Sequence, residues 1–334
     1  MNKNVVLYNY NMKKIYQEEK YIHFNNHRTI KAMKQRTKIK KRKHSLETVS
    51  GKVRSRKINT IKAPVVFSIV YNSDFTIKFF KEILFLIKKG KPIFVNLSAV
   101  TIITPDAILY LIVLVQEAKY KKVSFRGNAP LDKNARNIFT KSGFYDFVKS
   151  DLNKFQLPPD SSILKIKTGK DVNGNEAESI QKYLQSHVHN INKAKLKAIY
   201  SILIECMSNT NEYAGHDIGT KHWWTMALHN KETDKVLFAF VDNGVGIPKT
   251  VKTKWFDSSS DSELLKKAAS GVYQMSGSKE KSRNKGLPQI RKYNEDGFIQ
   301  NLVIISNNGY YSVKDDTKEL SDFFTGTMIA WEFT

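Results

Sequence analysis

The chain has 334 residues, 55 Lys and Arg against 31 Asp and Glu, and a formal net charge of +24, and its length favours two domains over one. Hydrophobic residues make up 41% of it, enough for ordinary globular cores, and the single cysteine, Cys206, excludes an internal disulfide framework and fits a reducing cytoplasm. The apolar run AILYLIVLV at 107–115 is about half of a bilayer span, and the N-terminus lacks the apolar core of a signal peptide, so a cytoplasmic chain without a transmembrane segment is expected.

Residues 1–62 hold 18 Lys and Arg and 3 Asp and Glu, which places 15 of the 24 net charges there. The densest part is KAMKQRTKIKKRKHS at 31–45. Such a composition predicts a flexible basic arm that orders only on a partner. Phosphates of nucleic acid, an anionic membrane or an acidic protein would suit it, and so would no single partner at all. No aromatic interleaving or base-reading motif accompanies the charge.

From Pro64 strand and helix patterns alternate. APVVFSIVY reads as a strand, SDFTIKFFKEILFLIKKG as a helix capped by Ser73 or Asp74 and stopped at Gly90, and KPIFVNLS as a strand. PDAILYLIVLVQEAKYK reads as a helix opening at Pro105, KVSFRG as a strand, and LDKNARNIFTKSGF as a helix. This β-α-β-α-β-α order predicts an α/β layer domain over 63–150. Residues 151–175, with Pro-Pro, Ser-Ser and Asn-Gly pairs, read as a linker with one short strand at most.

A second domain is expected over 176–334. EAESIQKYLQSHVHNI and 193–213 read as helices, and KHWWTMALHN and KVLFAFVDNG as strands joined by the turn KETD. GLPQIRKYNED reads as a helix, FIQNLVIIS and YYSVKD as strands joined at NNG, and GTMIAWEF as a closing strand. Short turns imply antiparallel pairing, so the expected architecture is an α/β sandwich, with helices on one face of a mixed, largely antiparallel sheet.

Three stretches of this second domain carry residues suited to chemistry. On the 193–213 helix, Leu196, Ile199, Ile202, Leu203, Cys206 and Met207 form an apolar stripe, while Glu205 and Asn209, four apart, share another face with Glu212. That face is either a solvated surface or an acid–amide pair suited to Mg²⁺, the carboxylate also being able to take a proton from an attacking water. In VDNGVGIP, Asp242 ends a strand and Gly244 and Gly246 remove two side chains, which lets a flat or charged group approach the backbone; turns use the same letters. ASGVYQMSGSKEKSRNKGLPQI at 269–290 runs into a helix N-terminus at Gly286, with Lys279, Lys281, Arg283 and Lys285 adding positive charge, and it reads either as a surface loop or as an anion-binding lid.

The order Glu-x-x-x-Asn, Asp-x-Gly-x-Gly-Ile, then a Gly-rich stretch ending Gly-Leu-x-x-Ile resembles the GHKL superfamily with its Bergerat ATP-binding fold. The boxes here are LIECMSNTNEYAGHD, VDNGVGIP and NKGLPQI, and the resemblance covers about 176–334. It implies ATP and Mg²⁺ as cofactors, with Asn209 as the Mg²⁺ ligand and Glu205 orienting or deprotonating the nucleophile. Asp242 would accept the adenine amino group, supported by Thr327. Gly244, Gly246 and Ile247 would make room for the nucleotide, and Lys285, Gly286 and Leu287 would open the helix that closes on the phosphates. Where many members carry a further glycine, this chain has Asn284.

Residues 63–150, through PIFVNLSAVTIITPDAILYLIVLV, KVSFRGNA and IFTKSGFYDFV, are similar to a STAS (sulphate-transporter and anti-sigma-antagonist) domain, although TPDA at 104–107 stands where members often carry Asp-Ser-Ser-Gly. Together the resemblances imply an ATP-binding regulatory protein, a slow ATPase in which nucleotide orders the lid at 248–285. The STAS-like unit would dock a protein partner or a second copy in a homodimer. Two alternatives stand beside this: an anti-sigma-type serine/threonine protein kinase, and a nucleic-acid-associated regulator acting through residues 1–62.

Overall fold

The computed structural model describes residues 58–148, 162–188, 191–213, 221–273, 286–314 and 316–334. Lys57–Thr334 is one compact unit of mixed α/β structure. The basic stretch at 1–57 lies outside the described residues.

The first layer is parallel. Strands β1 (Asn59–Lys62), β3 (Ile93–Asn96) and β5 (Phe125–Gly127) form a sheet in the order β1-β3-β5, and β2 (Val66–Phe67) pairs with β4 (Ile102–Ile103). Helices α1 (Ser73–Lys88), α2 (Pro105–Tyr120) and α3 (Lys133–Lys141) connect and cover them. β1 occupies the last four residues of the stretch read as an arm. The run APVVFSIVY forms only the two-residue β2, because its later residues turn into α1: Asp106 at the start of α2 accepts from the N–H groups of Ile69 and Val70, the latter at 3.4 Å.

The second layer is a fully antiparallel five-stranded sheet in the order β6-β7-β8-β10-β9. Its strands are β6 (Ile163–Gly169), β7 (Trp223–Asn230), β8 (Lys235–Asp242), β9 (Gln300–Ser312) and β10 (Asp316–Phe333). β6 comes from the stretch read as a linker. β9 runs straight through Asn307-Asn308-Gly309, so no turn forms there; the reversal comes after Ser312 instead. Asn307 takes a left-handed conformation (φ 55°) within the strand, opposite irregular pairing on β10.

Helices cover both faces of this sheet, rather than the one face expected. On one face α4 (Gly174–His187), α5 (Lys193–Tyr213), α7 (Asp261–Ala269) and α8 (Gly286–Glu295) bury a core containing Trp223, Phe238, Phe240, Trp331 and Phe333. On the other face Trp224, Met226, Val241, Ile305 and Met328 join the core of the parallel layer. The stretches 63–150 and 176–334 therefore share apolar packing. The sequence of α2 shows why: all but Gln116, Lys119 and Tyr120 of its 16 residues are buried, as expected of a helix apolar all round and clamped between two layers.

Polar contacts tie the layers at the edge and at the centre. Lys81 pairs with Asp322, Lys318 pairs with Asp74 at 2.8 Å, and Tyr71 Oη donates to Glu332 Oε1 at 2.9 Å. Deeper in, the Thr325 N–H donates to Tyr110 Oη at 3.0 Å, and the Tyr110 ring stacks on Phe324 with centroids 4.0 Å apart. The buried contact should outweigh the exposed one. Tyr110→Phe leaves a buried N–H without its acceptor and should cost about 1–3 kcal/mol; Lys318→Ala should cost less than about 1 kcal/mol. Urea denaturation of both variants checks the order.

Candidate nucleotide site

The site begins with a carboxylate at the end of a central strand. β8 lies between β7 and β10, with Trp223 and Thr327 opposite Asp242 on either side. Asp242 is buried, and its Oδ1 accepts from the N–H of Gly244 at 2.8 Å and of Thr327 at 3.2 Å. Burial pushes its carboxyl up to about 6, against the opposite pull of those hydrogen bonds. A carboxylate held this way curls 242–244 into a turn and fixes the adjoining strand at the same time.

The glycines around it are required by close approach. Gly246 has φ 92°, and a Cβ there would fall 2.5–2.7 Å from the side chains of Ser306 and Asn307. Gly326 has φ 85°, and a Cβ on it would overlap the Asp242 carbonyl. Gly246 opens α6 (Ile247–Trp255), whose first N–H groups are met by β9: Ile247 N donates to Ser306 Oγ at 3.0 Å and Lys249 N to Asn307 Oδ1 at 3.2 Å. Asn307 Nδ2 returns a bond to Val245 O, and Ser306 Oγ donates to Gly326 O. Asp242, Gly244, Gly246, Ile247 and Thr327 are thus brought together by hydrogen bonds and close packing.

Glu205 and Asn209 lie one turn apart on α5, both half-buried. Gly286, the first residue of α8, sits against Glu205 so closely that a Cβ would overlap the carboxylate, and Leu287 packs on the same core as α5. The two groups of residues meet across Cys206. Burial pushes its thiol well up, and the negative charges of Glu205 and Asp242 add to that shift, so both carboxylates lie within electrostatic reach of one thiol. Lys285 and the charged residues 279–283 lie outside the described residues.

Ser306, Asn307 and Gly326 were missed in the sequence reading. Their signal was a polar Ser-Asn pair, both nearly inaccessible, inside an apolar strand. Within the stretch read as a lid, residues 248–273 include most of α6 and all of α7 (Asp261–Ala269). Ser260 makes a capping box with Glu263, and Asp257 binds Lys267, Ser259 and Tyr273. These partners hold the Asp257 carboxyl well below the usual range, hydrogen bonds from Ser259 foremost.

No family model matches the chain, and no curated protein matches it in sequence.

The raised value at Asp242 carries a sign. The protonated form is favoured on folding, so the group's contribution is complete below about pH 3.9, the unfolded value, and is lost as pH rises through about 6. Asp242→Asn keeps the Oδ1 acceptor without the buried charge. It should stabilise the protein at pH 7.5, by up to on the order of 3 kcal/mol, with the gain vanishing by about pH 4. Calorimetric melting of both proteins across that range measures it, and a gain independent of pH would contradict the assignment.

Proposed function

We propose that this chain is an ATP-binding regulatory protein: a Bergerat-type nucleotide domain whose sheet is backed by a STAS-like layer. The observation that carries the reading is the buried carboxylate of Asp242. It sits between Gly244, Gly246 and Gly326, at a strand end facing the helix that bears Glu205 and Asn209. Holding a charge there opposes folding, and such a cost is characteristic of residues kept for binding.

The backbone donors use Oδ1 of Asp242 and the Thr327 hydroxyl also bonds the carboxylate; an amino group from the edge of an adenine ring would share it. Thr327 keeps that carboxylate in place from the neighbouring strand. Gly244 and Gly246 leave the backbone bare where the nucleotide would pass. Asn209 would hold Mg²⁺ through its amide oxygen. An amide with few other protein ligands suits a cation carried in by phosphates. Bound Mg²⁺ would offset phosphate charge and polarise the terminal phosphoryl group. Glu205, against the first turn of α8, would orient a water and receive its proton. Among the described residues no helix is long and apolar enough to cross a membrane, and partners are expected on the STAS-like layer.

Titration calorimetry with ATP, with and without Mg²⁺, tests the reading. Asp242→Asn and Asn209→Ala should each weaken binding by about tenfold or more, while Glu205→Ala should bind ATP and release no phosphate. Unchanged ATP affinity in the first two variants would overturn the site.

A further inference from the structure

A cavity lies on the face of the sheet turned to the parallel layer, between α2 and the ends of β6, β7 and β10, with a volume of about 390 Å³. That is within the range of small-molecule sites. Its walls are flat and aromatic. Trp224, which is 3% exposed, stacks with His222 at 5.6 Å and an interplanar angle of 22°, and Tyr120 and Phe147 also line the space.

One polar group in that wall is incompletely used. Glu117 is 4% exposed, and Lys121 Nζ donates to its Oε1 at 3.0 Å. Among the described residues, its Oε2 accepts no hydrogen bond. Oε2 is not among the buried polar atoms left without a partner, so it opens onto the cleft rather than into a sealed core. A carboxylate oxygen open to an aromatic cleft is placed to accept from a donor bound there.

We propose that this cleft binds a flat aromatic ligand carrying N–H donors, an amidine or an aromatic amine. The ring lies along Trp224 and Tyr120, and the N–H groups meet Glu117 Oε2. Aromatic faces also favour a cationic or electron-poor group. A carboxylate ligand is disfavoured by the buried charge of Glu117, while Lys119, at the exposed rim, is screened by water. The site is independent of the nucleotide reading, although the two share a wall: the Trp224–Val241 pair that backs the cleft is next in register to the Trp223–Asp242 pair.

Benzamidine is the probe, with benzoate as a flat anion of similar size, each titrated into the full chain and read from the Trp224 indole resonance by NMR. Benzamidine should give a saturable shift by about 20 mM, and benzoate none. Glu117→Gln should weaken benzamidine binding about tenfold. Tyr120→Ala, at a residue 66% exposed and so harmless to the fold, should weaken it several-fold and decides the matter alone if Glu117→Gln fails to fold. No saturable Trp224 shift with benzamidine, equal binding of benzoate, or wild-type affinity in the folded variants would overturn the proposal.

Discussion

The Asp242 carboxylate is the constraint around which the functional end of the molecule is arranged. One oxygen receives two backbone N–H groups, one from the turn that follows its own strand and one from the strand beside it. That pair of bonds sets where 243–246 leaves the sheet, and so where α6 begins. Ser306 and Asn307 complete the arrangement from β9. At Gly246 and Gly326 the backbone conformation as well as the space excludes a side chain. The carboxyl remains costly to ionise despite those bonds, since burial outweighs them.

The second dependence is mechanical. The irregular stretch of β10 at Phe324–Thr327 is gripped from both faces. Tyr110 of α2 holds Phe324 and Thr325 from the parallel layer, while Asp242 holds Thr327. Gly326 alone therefore separates the residue held by α2, Thr325, from the one held by Asp242, Thr327. The two packed layers thus share a continuous run of contacts from α2 to Asp242.

Much of this was legible in the residues. The helices at 193–213 and 105–120, the β7–β8 hairpin around KETD, and the turn from Asp242 through Gly244 and Gly246 follow from spacing and turn chemistry, whereas the grouping of Thr327 with Asp242 came only from the family resemblance. What failed were features set by distant packing. Asn307-Asn308-Gly309 has the composition of a turn, yet its side chains are spent on capping α6 and meeting β10, so the strand continues. β2 is short because Asp106, far along the chain, claims the backbone of Ile69 and Val70. The covering of the sheet's second face could not be read from β7 or β8 alone. The clue lay in α2, whose polar face is missing.

The most direct test of the account is a ¹³C NMR titration of the Asp242 carboxyl in the full chain, with and without ADP. The account predicts a value near 6 in the free protein and a displaced resonance and titration when ADP binds, since the adenine amino group would then share the carboxylate. An ordinary value near 4, unmoved by ADP, would contradict both the burial and the role assigned to it.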